Sequence, residues 1–401
     1  MKKYLCILTS FEKLNVTYHS KKIFFDKINE EFGKFYFINI DNLKFFSKPK
    51  KYNLSEELKN RPKNIIFFNP QNNKEFKEFI KDKILIVINN FGKTFTDFKI
   101  HLLLKKKNII QIQLKNIGNI QMTQHTSKKH IFLTLNYLIL NRLFRKITTI
   151  LSTVGIINKI DISFISDKAI TDVLKKNILK KFLYKKKLLF TKEFILVNSK
   201  FNDEIDVYSK NSSNKYIVHL DYYLNYHQET MLRGEMDQVS LKQHHDSVIK
   251  FLLVAQKKLN KEIIICIHPS YPVEYFRNFY KDFRIVKYKT AEMIRDADLV
   301  TFFDSSAIVN AVLMRKKIIQ LSSKFMGNNE QLHSKIYKKI LGLSDIELSN
   351  FKEEFFDDAY KKSYGDENLI NKYISNFHKL TEAEDGTSKI IRIIKERYFY
   401  N

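Results

Sequence analysis

The sequence has few cysteines, glycines and prolines, and it has no long apolar run. Cys6 and Cys266 are the only cysteines in 401 residues, and each lies inside an apolar, strand-like run. They predict small core residues in a reducing compartment, with no disulfide framework and no zinc-binding spacing. No window reaches the roughly 18 apolar residues of a membrane span, and the first apolar run is too short for a signal peptide. We therefore expect a cytoplasmic protein, with peripheral contact to the cytoplasmic face of the inner membrane left open.

Acidic residues are outnumbered by basic ones. The chain has 70 Lys and Arg against 43 Asp and Glu, which gives a formal net charge of +27. This excess favours an anionic partner, such as nucleic acid, a membrane surface or a phosphorylated substrate. Codon bias is the alternative, because Lys, Asn, Ile and Phe are abundant while only 9 Gly and 5 Pro occur. Nucleic acid is the least favoured partner, because no helix-turn-helix or RNP pattern is present.

Short apolar runs in the first half predict an N-terminal α/β domain, which we place at residues 1–209. Each run is β-branched or aromatic, and most of the connections are long enough for a helix. The predicted strands are Lys3–Leu8, Phe35–Ile40, Ile65–Phe68, Ile84–Ile88, Ile109–Ile112, Asp161–Ser166 and Phe194–Asn198.

Two basic segments interrupt this pattern. Residues 127–155 are apolar at helical spacing with interspersed Lys and Arg, which fits an amphipathic helix lying on an anionic membrane. The alternative is a helix that packs on the N-terminal sheet and exposes a basic edge. Lys175–Lys187 is a lysine run, which is typical of a solvated face and less often steers anions.

The second half predicts another α/β domain, at residues 210–380, followed by a terminal helix within 381–401. A polar break at Lys210–Lys215 marks the boundary, and a strand at Tyr216–Leu220 and a helix at Asp246–Leu259 follow it. Four more apolar runs alternate with helical segments, as in a doubly wound parallel sheet, whose ligands bind beyond the carboxyl ends of the strands. These runs are Glu262–Ile267, Phe283–Tyr288, Leu299–Phe303 and Lys317–Leu321.

Polar signatures follow two of these strands. His268 and Pro269 come directly after the first, where an imidazole could donate to a phosphate or act as a general acid. The alternative is a strand-end histidine bonded to the backbone. Asp304, Ser305 and Ser306 lie between a strand and a helical segment, where helix N–H groups and hydroxyls could hold a phosphate. Simple N-capping by Ser305 or Asp304 is the alternative.

Other polar residues lie at similar junctions. Thr290 opens a helical segment and is expected to cap it, while Glu292 in the first turn could contact a base or ribose. Asp221 ends the strand YIVHL, where a carboxylate could be a base, a substrate anchor or simply a turn former. His244 and His245 are adjacent near a helix start, so we expect them on the surface. No Walker loop, GxGxxG, HExxH or CxxC motif is present.

At these residues the chain resembles bacterial surface-polysaccharide biosynthesis proteins of the GT-B glycosyltransferase fold. The resemblance rests on HLDYYLNYHQE, IIICIHPSY, KTAEMIRDADLV and DSSAIVNAVLMRKKII, and it covers roughly residues 216–325. More distantly, the His-Pro and Ser-Ser pairs are similar to motifs of capsule Kdo transferases and bacterial sialyl- and polysialyltransferases. The N-terminal half matches only as a plausible α/β domain.

The resemblance implies two Rossmann-like domains facing a cleft and a metal-independent, inverting transferase with no cofactor. The C-terminal domain would bind a nucleotide-sugar donor, such as a CMP-linked nonulosonic acid or Kdo, and the N-terminal domain would bind a glycan or glycolipid acceptor. His268 would contact the donor phosphate and assist departure of the nucleotide, while Ser305 and Ser306 would hold that phosphate. The family's acidic motif has no match here, so Asp221 is our first choice of base, with Glu12 and Asp41 behind it. A sugar-nucleotide epimerase or a phosphotransferase on the same scaffold is the alternative.

Overall fold

The computed structural model describes the chain in two compact units. The described residues are 2–9, 18, 22–43, 61, 63–89, 95–105, 109–115, 143, 146–166, 190–208, 214–222, 238–269, 271–326, 328–380 and 384–400. Unit 1 takes in Met1–Ile117, Phe132–Lys200 and Phe377–Asn401, and unit 2 takes in Gly118–Ile131 and Phe201–Asn376. The end of the chain therefore groups with the unit in which the chain begins.

Unit 1 is built on a seven-stranded parallel sheet with the order β3-β2-β1-β4-β5-β6-β7. Its strands are β1 (Lys2–Thr9), β2 (Phe35–Asn39), β3 (Ile65–Phe68), β4 (Lys83–Asn89), β5 (Ile109–Lys115), β6 (Ile160–Ile165) and β7 (Thr191–Leu196). Its helices include α1 (Lys22–Glu31), α2 (Asn73–Phe79), α3 (Phe95–Leu103) and the chain-terminal helix α12 (Gly386–Tyr398). The helix α4 (Lys200–Tyr208) begins at the last residue of the middle segment of unit 1 and otherwise belongs to unit 2.

The sheet of unit 1 has an apolar core on each face. Leu5 of β1 and Ile88 of β4 pack with the helix α12, whereas Cys6 and Val87 pack with α3 on the other face. Both faces of the central strands are buried because helices cover both sides of a parallel sheet. This is why the strands read as nearly continuous apolar runs in the sequence.

Unit 2 contains a six-stranded parallel sheet with the order β10-β9-β8-β11-β12-β13. Its strands are β8 (Tyr216–Leu220), β9 (Glu262–Ile267), β10 (Arg284–Lys287), β11 (Ala297–Phe302), β12 (Lys317–Ser322) and β13 (Ser344–Glu347). Its helices are α5 (Gln238–Leu259), α6 (Val273–Phe279), α7 (Thr290–Arg295), α8 (Ile308–Leu313), α9 (Asn328–Leu341), α10 (Glu354–Lys361) and α11 (Glu367–Phe377).

The two parallel sheets confirm the predicted α/β, doubly wound fold class, and every predicted strand is present within a few residues of its expected bounds. The strand β13 was missed. Its sequence, SDIE, contains a single apolar residue, Ile346, and gives no strand-like pattern. The helix α5 was predicted too short, because its first turns carry polar and histidine residues rather than a clear apolar stripe.

The terminal helix α12 packs within unit 1. Ile390 and Ile394 are buried in its core, and the ring of Phe399 lies 4.9 Å from that of Phe32. At the start of the helix, the side chain of Asp385 accepts a hydrogen bond from the N–H of Ser388 and pairs with Lys27 of α1 at 2.9 Å. The predicted terminal helix is therefore present, and its apolar side faces the core of unit 1.

The two basic segments fall largely outside the described residues. Of residues 127–155 the structure describes only 143 and 146–155, of which 146–153 are helical, and it describes none of Lys175–Lys187. Their predicted membrane-binding or anion-steering roles therefore stay predictions. Among the helices that are described, none is long and apolar enough to cross a membrane.

Candidate functional site

The strand order of unit 2 places a topological switch point between β8 and β11. The chain adds β9 and β10 on one side of β8, then returns to add β11, β12 and β13 on the other. In open α/β sheets the crevice beyond the carboxyl ends at this point is the usual ligand site. Asp221 follows β8, His268 follows the neighbouring β9, and Asp304–Ser306 follow β11. These residues thus follow adjacent strands at the same end of one sheet, around its switch point.

His268 lies on a tightly held turn and is exposed. The backbone N–H of Tyr271 donates to the His268 carbonyl at 3.0 Å, and the two rings lie 5.0 Å apart. The end of β10 holds the same turn. Lys287 Nζ donates to the Tyr271 carbonyl at 2.8 Å, and Tyr288 Oη donates to the Pro269 carbonyl at 3.4 Å. The backbone of the turn is therefore held from both sides, whereas the side chain of His268 is exposed to solvent.

Asp304, Ser305 and Ser306 form the turn that leads into the short helix α8. The Ser305 carbonyl accepts from the Ile308 N–H at 3.2 Å, and its hydroxyl accepts from the Ala307 N–H at 3.3 Å. The assigned N-cap position is Ala307, which makes no side-chain cap bond. The Ser305 hydroxyl bonds a backbone N–H of the turn just before the helix, as a capping serine does, so both the capping and the phosphate-holding predictions for this turn stay predictions. Ser306 is exposed, and Asp304 and Ser305 are partly buried.

Thr290 and Glu292 lie beyond β10, on the helix α7. The N-cap of this helix is Lys289, without a side-chain cap, so the expected capping by Thr290 is wrong. The Thr290 hydroxyl instead interacts with the thiol of Cys266. Burial raises the pKa of that thiol, and the hydrogen bond to Thr290 acts in the opposite direction. Both Thr290 and Glu292 are partly buried, and what Glu292 could contact stays a prediction.

Asp221 lies beneath the sheet edge rather than on it. Its side chain has no solvent exposure, and one carboxylate oxygen accepts from the Tyr222 N–H at 2.6 Å. The same oxygen is 3.7 Å from Nε2 of His219, whose Nδ1 lies 2.9 Å from the hydroxyl of Thr301. Burial alone would raise the pKa of the Asp221 carboxyl. The nearby histidines, His219 foremost, outweigh burial and lower that pKa below its ordinary value.

The helix α5 adds two more buried histidines to this cluster, so the expected surface position of His244 and His245 is wrong. His244 packs against Phe303 and lies 3.2 Å from the hydroxyl of Ser323. His245 stacks on Phe279 at 4.0 Å, between α5 and α6. Adjacent helical residues are both buried because the helix is covered by the sheet on one side and by α6 on the other.

The histidine cluster continues to two tyrosines of the α6 region. His245 Nδ1 lies 3.1 Å from the Tyr280 hydroxyl, and its Nε2 lies 3.4 Å from that of Tyr275. Burial lowers the pKa of His244 to about 3 and also lowers that of His245. Both imidazoles are therefore neutral near pH 7, and they bond as neutral donors and acceptors.

His219 is the residue that the sequence reasoning missed. It lies two positions before Asp221 in a strand, and a period of two puts both side chains on the same face of the sheet. The pairing of His219 with Thr301 depends on the register between β8 and β11, where the two residues are direct neighbours. The His-x-Asp spacing could have been recognised in the sequence, whereas the contact with Thr301 could not. Glu12, one of the two other candidates for the base, lies outside the described residues. The other, Asp41, is a buried residue after β2 whose N–H donates to the side-chain oxygen of Asn39.

Three polar atoms of the cluster are buried without a hydrogen-bond partner in the part of the chain that the structure describes. They are Nε2 of His219, Oδ2 of Asp221 and Nε2 of His244. Within the described ranges, no group of three or more His, Cys, Asp or Glu side chains is arranged to hold a metal ion. The other polar atoms of the cluster are joined by the hydrogen bonds of His219 with Thr301, His244 with Ser323 and His245 with Tyr280.

Comparison with known proteins bears on the fold. No protein-family model and no curated protein sequence matches the chain. A solved structure of the wall teichoic acid polymerase TagF is 10% identical, with a TM-score of 0.53, over 98% of this chain and 88% of that one. The glycosyltransferase of kitacinnamycin is 8% identical, with a TM-score of 0.50, over 98% of each chain. A putative UDP-N-acetylglucosamine 2-epimerase from Listeria monocytogenes is 12% identical, with a TM-score of 0.50, over 100% of this chain and 98% of that one.

These likenesses extend over nearly the whole chain, so they include the N-terminal half that the sequence matched only weakly. At such low identity they describe architecture and not activity. None of the three structures is a Kdo- or sialyltransferase, and that finer resemblance stays a prediction. The chain has the two-unit, doubly wound α/β fold of GT-B proteins, which glycosyltransferases share with sugar-nucleotide epimerases.

Proposed function

We propose that this chain is a glycosyltransferase that moves a sugar from a nucleotide-activated donor to a glycan acceptor. We place the donor phosphate at the carboxyl edge of the sheet of unit 2. One observation carries the proposal: His268 and the Ser305–Ser306 pair follow strands on either side of β8, at the switch point where ligands of such sheets bind.

The spacing of the strands suits one phosphate. Neighbouring strands are about 4.8 Å apart, so the ends of β9 and β11, with β8 between them, are about 10 Å apart. An imidazole extending from one end and a hydroxyl from the other can meet around a phosphate that lies between them. His268 can donate a hydrogen bond or a proton to the departing oxygen, and Ser306 can stabilise the charge that develops there.

The finer features of the reaction come from the motif resemblance. It favours an inverting, metal-independent transfer and a CMP-linked nonulosonic acid or Kdo as donor. We propose that unit 1 receives a glycan or glycolipid acceptor. The net charge of +27 fits an anionic acceptor or a contact with the anionic inner membrane.

Epimerisation or phosphoryl transfer on the same scaffold is the second candidate, because the Listeria monocytogenes protein shares the fold and is named as a putative epimerase. The two classes differ in what the acceptor does. A transferase releases nucleotide in step with transfer to a separate acceptor, whereas an epimerase converts one nucleotide sugar into another without releasing the nucleotide. Chromatography of nucleotide sugars, with and without glycan acceptors, separates these outcomes.

Binding is tested with the intact protein in a thermal-shift panel of CMP, UDP, GDP and dTDP. A nucleotide present at about 100 times its dissociation constant should add about 2.7 kcal/mol to the free energy of unfolding. His268→Ala and Ser306→Ala should reduce this gain. No stabilisation by any of the four nucleotides would argue against a nucleotide-sugar donor, and tight, salt-sensitive binding of single- or double-stranded nucleic acid would replace the proposal.

Catalysis is tested by nucleotide release from the corresponding sugar nucleotides. Removing one donor to a developing charge costs about 100- to 1000-fold in turnover, and we expect losses of this order for His268→Ala and Ser306→Ala. Ser375→Ala is the matched control, because Ser375 is an exposed serine of α11 whose hydroxyl donates to the Lys372 carbonyl of the same helix. Turnover near the wild-type rate in both site variants would refute the assignment of the site.

A further inference from the structure

We propose that the helix at residues 146–153 of unit 1, with the apolar side chains next to it, binds the surface of an anionic lipid bilayer. This inference deepens the proposed function, because it selects one anionic partner from those that the net charge allows and names the residues that contact it. It rests on the proposed function only in taking the bilayer as the place where a glycolipid acceptor is met.

The helix has its polar side toward the protein and its apolar side toward solvent. Thr148 and Ser152, four residues apart, are 0% and 2% exposed, whereas Ile150 and Val154, also four apart, are 60% and 63% exposed. Leu143 is helical and exposed too, and its spacing of seven from Ile150 places it on the same face. A helix on a surface that faces water normally has the reverse arrangement.

The inward side of the helix is packed against unit 1. Leu151 packs against three buried apolar residues, Ile157, Ile160 and Phe190. The hydroxyl of Thr148 is buried without a hydrogen-bond partner among the residues that the structure describes, which lowers the stability of the fold. Hydroxyls outside and aliphatic side chains inside would be more stable in water, so the observed arrangement indicates that another apolar layer covers the outward side.

The apolar surface continues beyond the helix. Ile156, just after the helix end, is exposed, and so is Leu102 of α3. The two segments are joined, because Asn158 Nδ2 donates to the Leu104 carbonyl at the end of α3 at 3.0 Å. Five of the ten exposed large apolar side chains of the described residues therefore lie in these two segments. Such a concentration is typical of a surface that binds a protein or a membrane.

The charge of this region favours an anionic bilayer. Between Asp97 and Asp161 the sequence has eleven Lys and Arg and no Asp or Glu. Lys146, four residues before Ile150, and Lys105, at the end of α3, are exposed. Aliphatic side chains flanked by lysines are typical of a helix that lies in the interface of an anionic membrane. Nucleic acid would leave the aliphatic side chains in water, and a second copy of the chain would bring like charges together.

Tryptophan fluorescence tests which surface enters the bilayer. The chain contains no tryptophan, so a single introduced one reports only its own surroundings. Full-length Ile150→Trp is mixed with vesicles of phosphatidylcholine and phosphatidylglycerol in equal parts, with and without brominated acyl chains. Leu253→Trp is the matched control, because Leu253 is an exposed aliphatic residue of the helix α5 in unit 2. Brominated lipid should quench Ile150→Trp and leave Leu253→Trp unchanged.

Vesicle sedimentation measures the strength of binding. Replacing Ile150 and Val154 together by serine should lower the partition coefficient at least about 10-fold, because two aliphatic side chains no longer enter the interface. The same change at Val239 and Leu253, two exposed aliphatic residues of α5, should alter it less than about 2-fold. Lys146→Gln should lower it about 5-fold, and less at high salt. Equal unfolding temperatures of the variants and the wild type show that the fold is retained.

Three results would overturn the inference: no binding of the wild type to these vesicles, an equal loss in both serine pairs, or quenching of Leu253→Trp in place of Ile150→Trp. Self-association that the serine pair at Ile150 and Val154 abolishes, without vesicle binding, would assign the surface to a second copy instead. Vesicle binding is measured without nucleotide, so its failure leaves the nucleotide-release test of the proposed function intact. A failure of nucleotide release leaves the vesicle result equally interpretable.

Discussion

Acid should destabilise each unit through a histidine buried in its core. Burial lowers the pKa of His378 in unit 1 and of His244 in unit 2 from 6.5 to about 3. In the unfolded chain each imidazole takes up a proton near pH 6.5, whereas in the folded state it stays neutral down to about pH 3. The unfolded state therefore binds more protons in this window. The contribution of each histidine to the free energy of unfolding is fully present above about pH 6.5. It falls by about 1.4 kcal/mol per pH unit as the pH is lowered from there toward about pH 3.

The perturbation is His378→Asn, which removes one titrating group from unit 1. Nδ1 of His378 lies 2.8 Å from the hydroxyl of Ser199, and an asparagine amide can make a similar bond without titrating. Between about pH 6.5 and about pH 5, His378 should account for about 2 kcal/mol of the loss in stability of unit 1. The variant should be less stable than the wild type near pH 7, and its stability should fall less steeply with acid.

The assay must resolve the two units, and the chain contains no tryptophan whose fluorescence could do so. Hydrogen exchange followed by mass spectrometry gives a free energy of opening for peptides of β1 and β4 in unit 1, and of β9 and β11 in unit 2. His378→Asn should flatten the pH dependence in unit 1 only, and His244→Asn in unit 2 only, so each variant is the control for the other. A slope that changes by less than about 0.5 kcal/mol per pH unit, or that changes in the wrong unit, would refute the reasoning.

Two further predictions concern stability. Asp298 pairs with Lys261 at 2.9 Å and accepts from Tyr360. Its replacement by alanine should lower the free energy of unfolding, measured with urea, by about 2 kcal/mol, because the lysine left behind keeps contact with solvent. Burial opposes ionisation of Asp298, but its lysine partners outweigh burial and lower its pKa, so its contribution should be lost as the pH falls below the ordinary aspartate range. Gly386→Ala should cost at least about 2 kcal/mol, because its Cβ would clash with the backbone carbonyl oxygen of Asn198. Gly33→Ala, with nothing within 4 Å, should change stability by less than about 0.5 kcal/mol; a similar cost for both glycines would contradict the steric explanation.

The local pattern was informative about the strands because burial acts on single residues. The strand β9 could be read from EIIICI because both of its faces are covered, so nearly every position must be apolar. The strand β13 could not be read, since as an edge strand it buries only Ile346. Where burial does not select apolar residues, a sequence pattern of this kind carries no signal.

Histidine burial was misjudged for the same reason. His244 and His245 lie in a polar stretch that reads as a solvated helix start, yet α6 and the sheet enclose both. Propensity and periodicity describe one helix by itself. Which residues cover it depends on contacts between residues that are far apart in the chain, such as those of His245 with Phe279 and of His244 with Ser323.

By itself, the sequence determined the alternation of strands and helices, the polar residues at the ends of β9 and β11, and the excess of positive charge. These depend on residue type and on periods of two and about 3.6, which are local properties. Only the tertiary structure decided that His268 and Ser306 follow strands on either side of β8, that Asp221 lies buried beside His219, and that the terminal helix belongs to unit 1. Strand order and register arise from hydrogen bonds between distant segments, and the sequence of a single strand does not contain them.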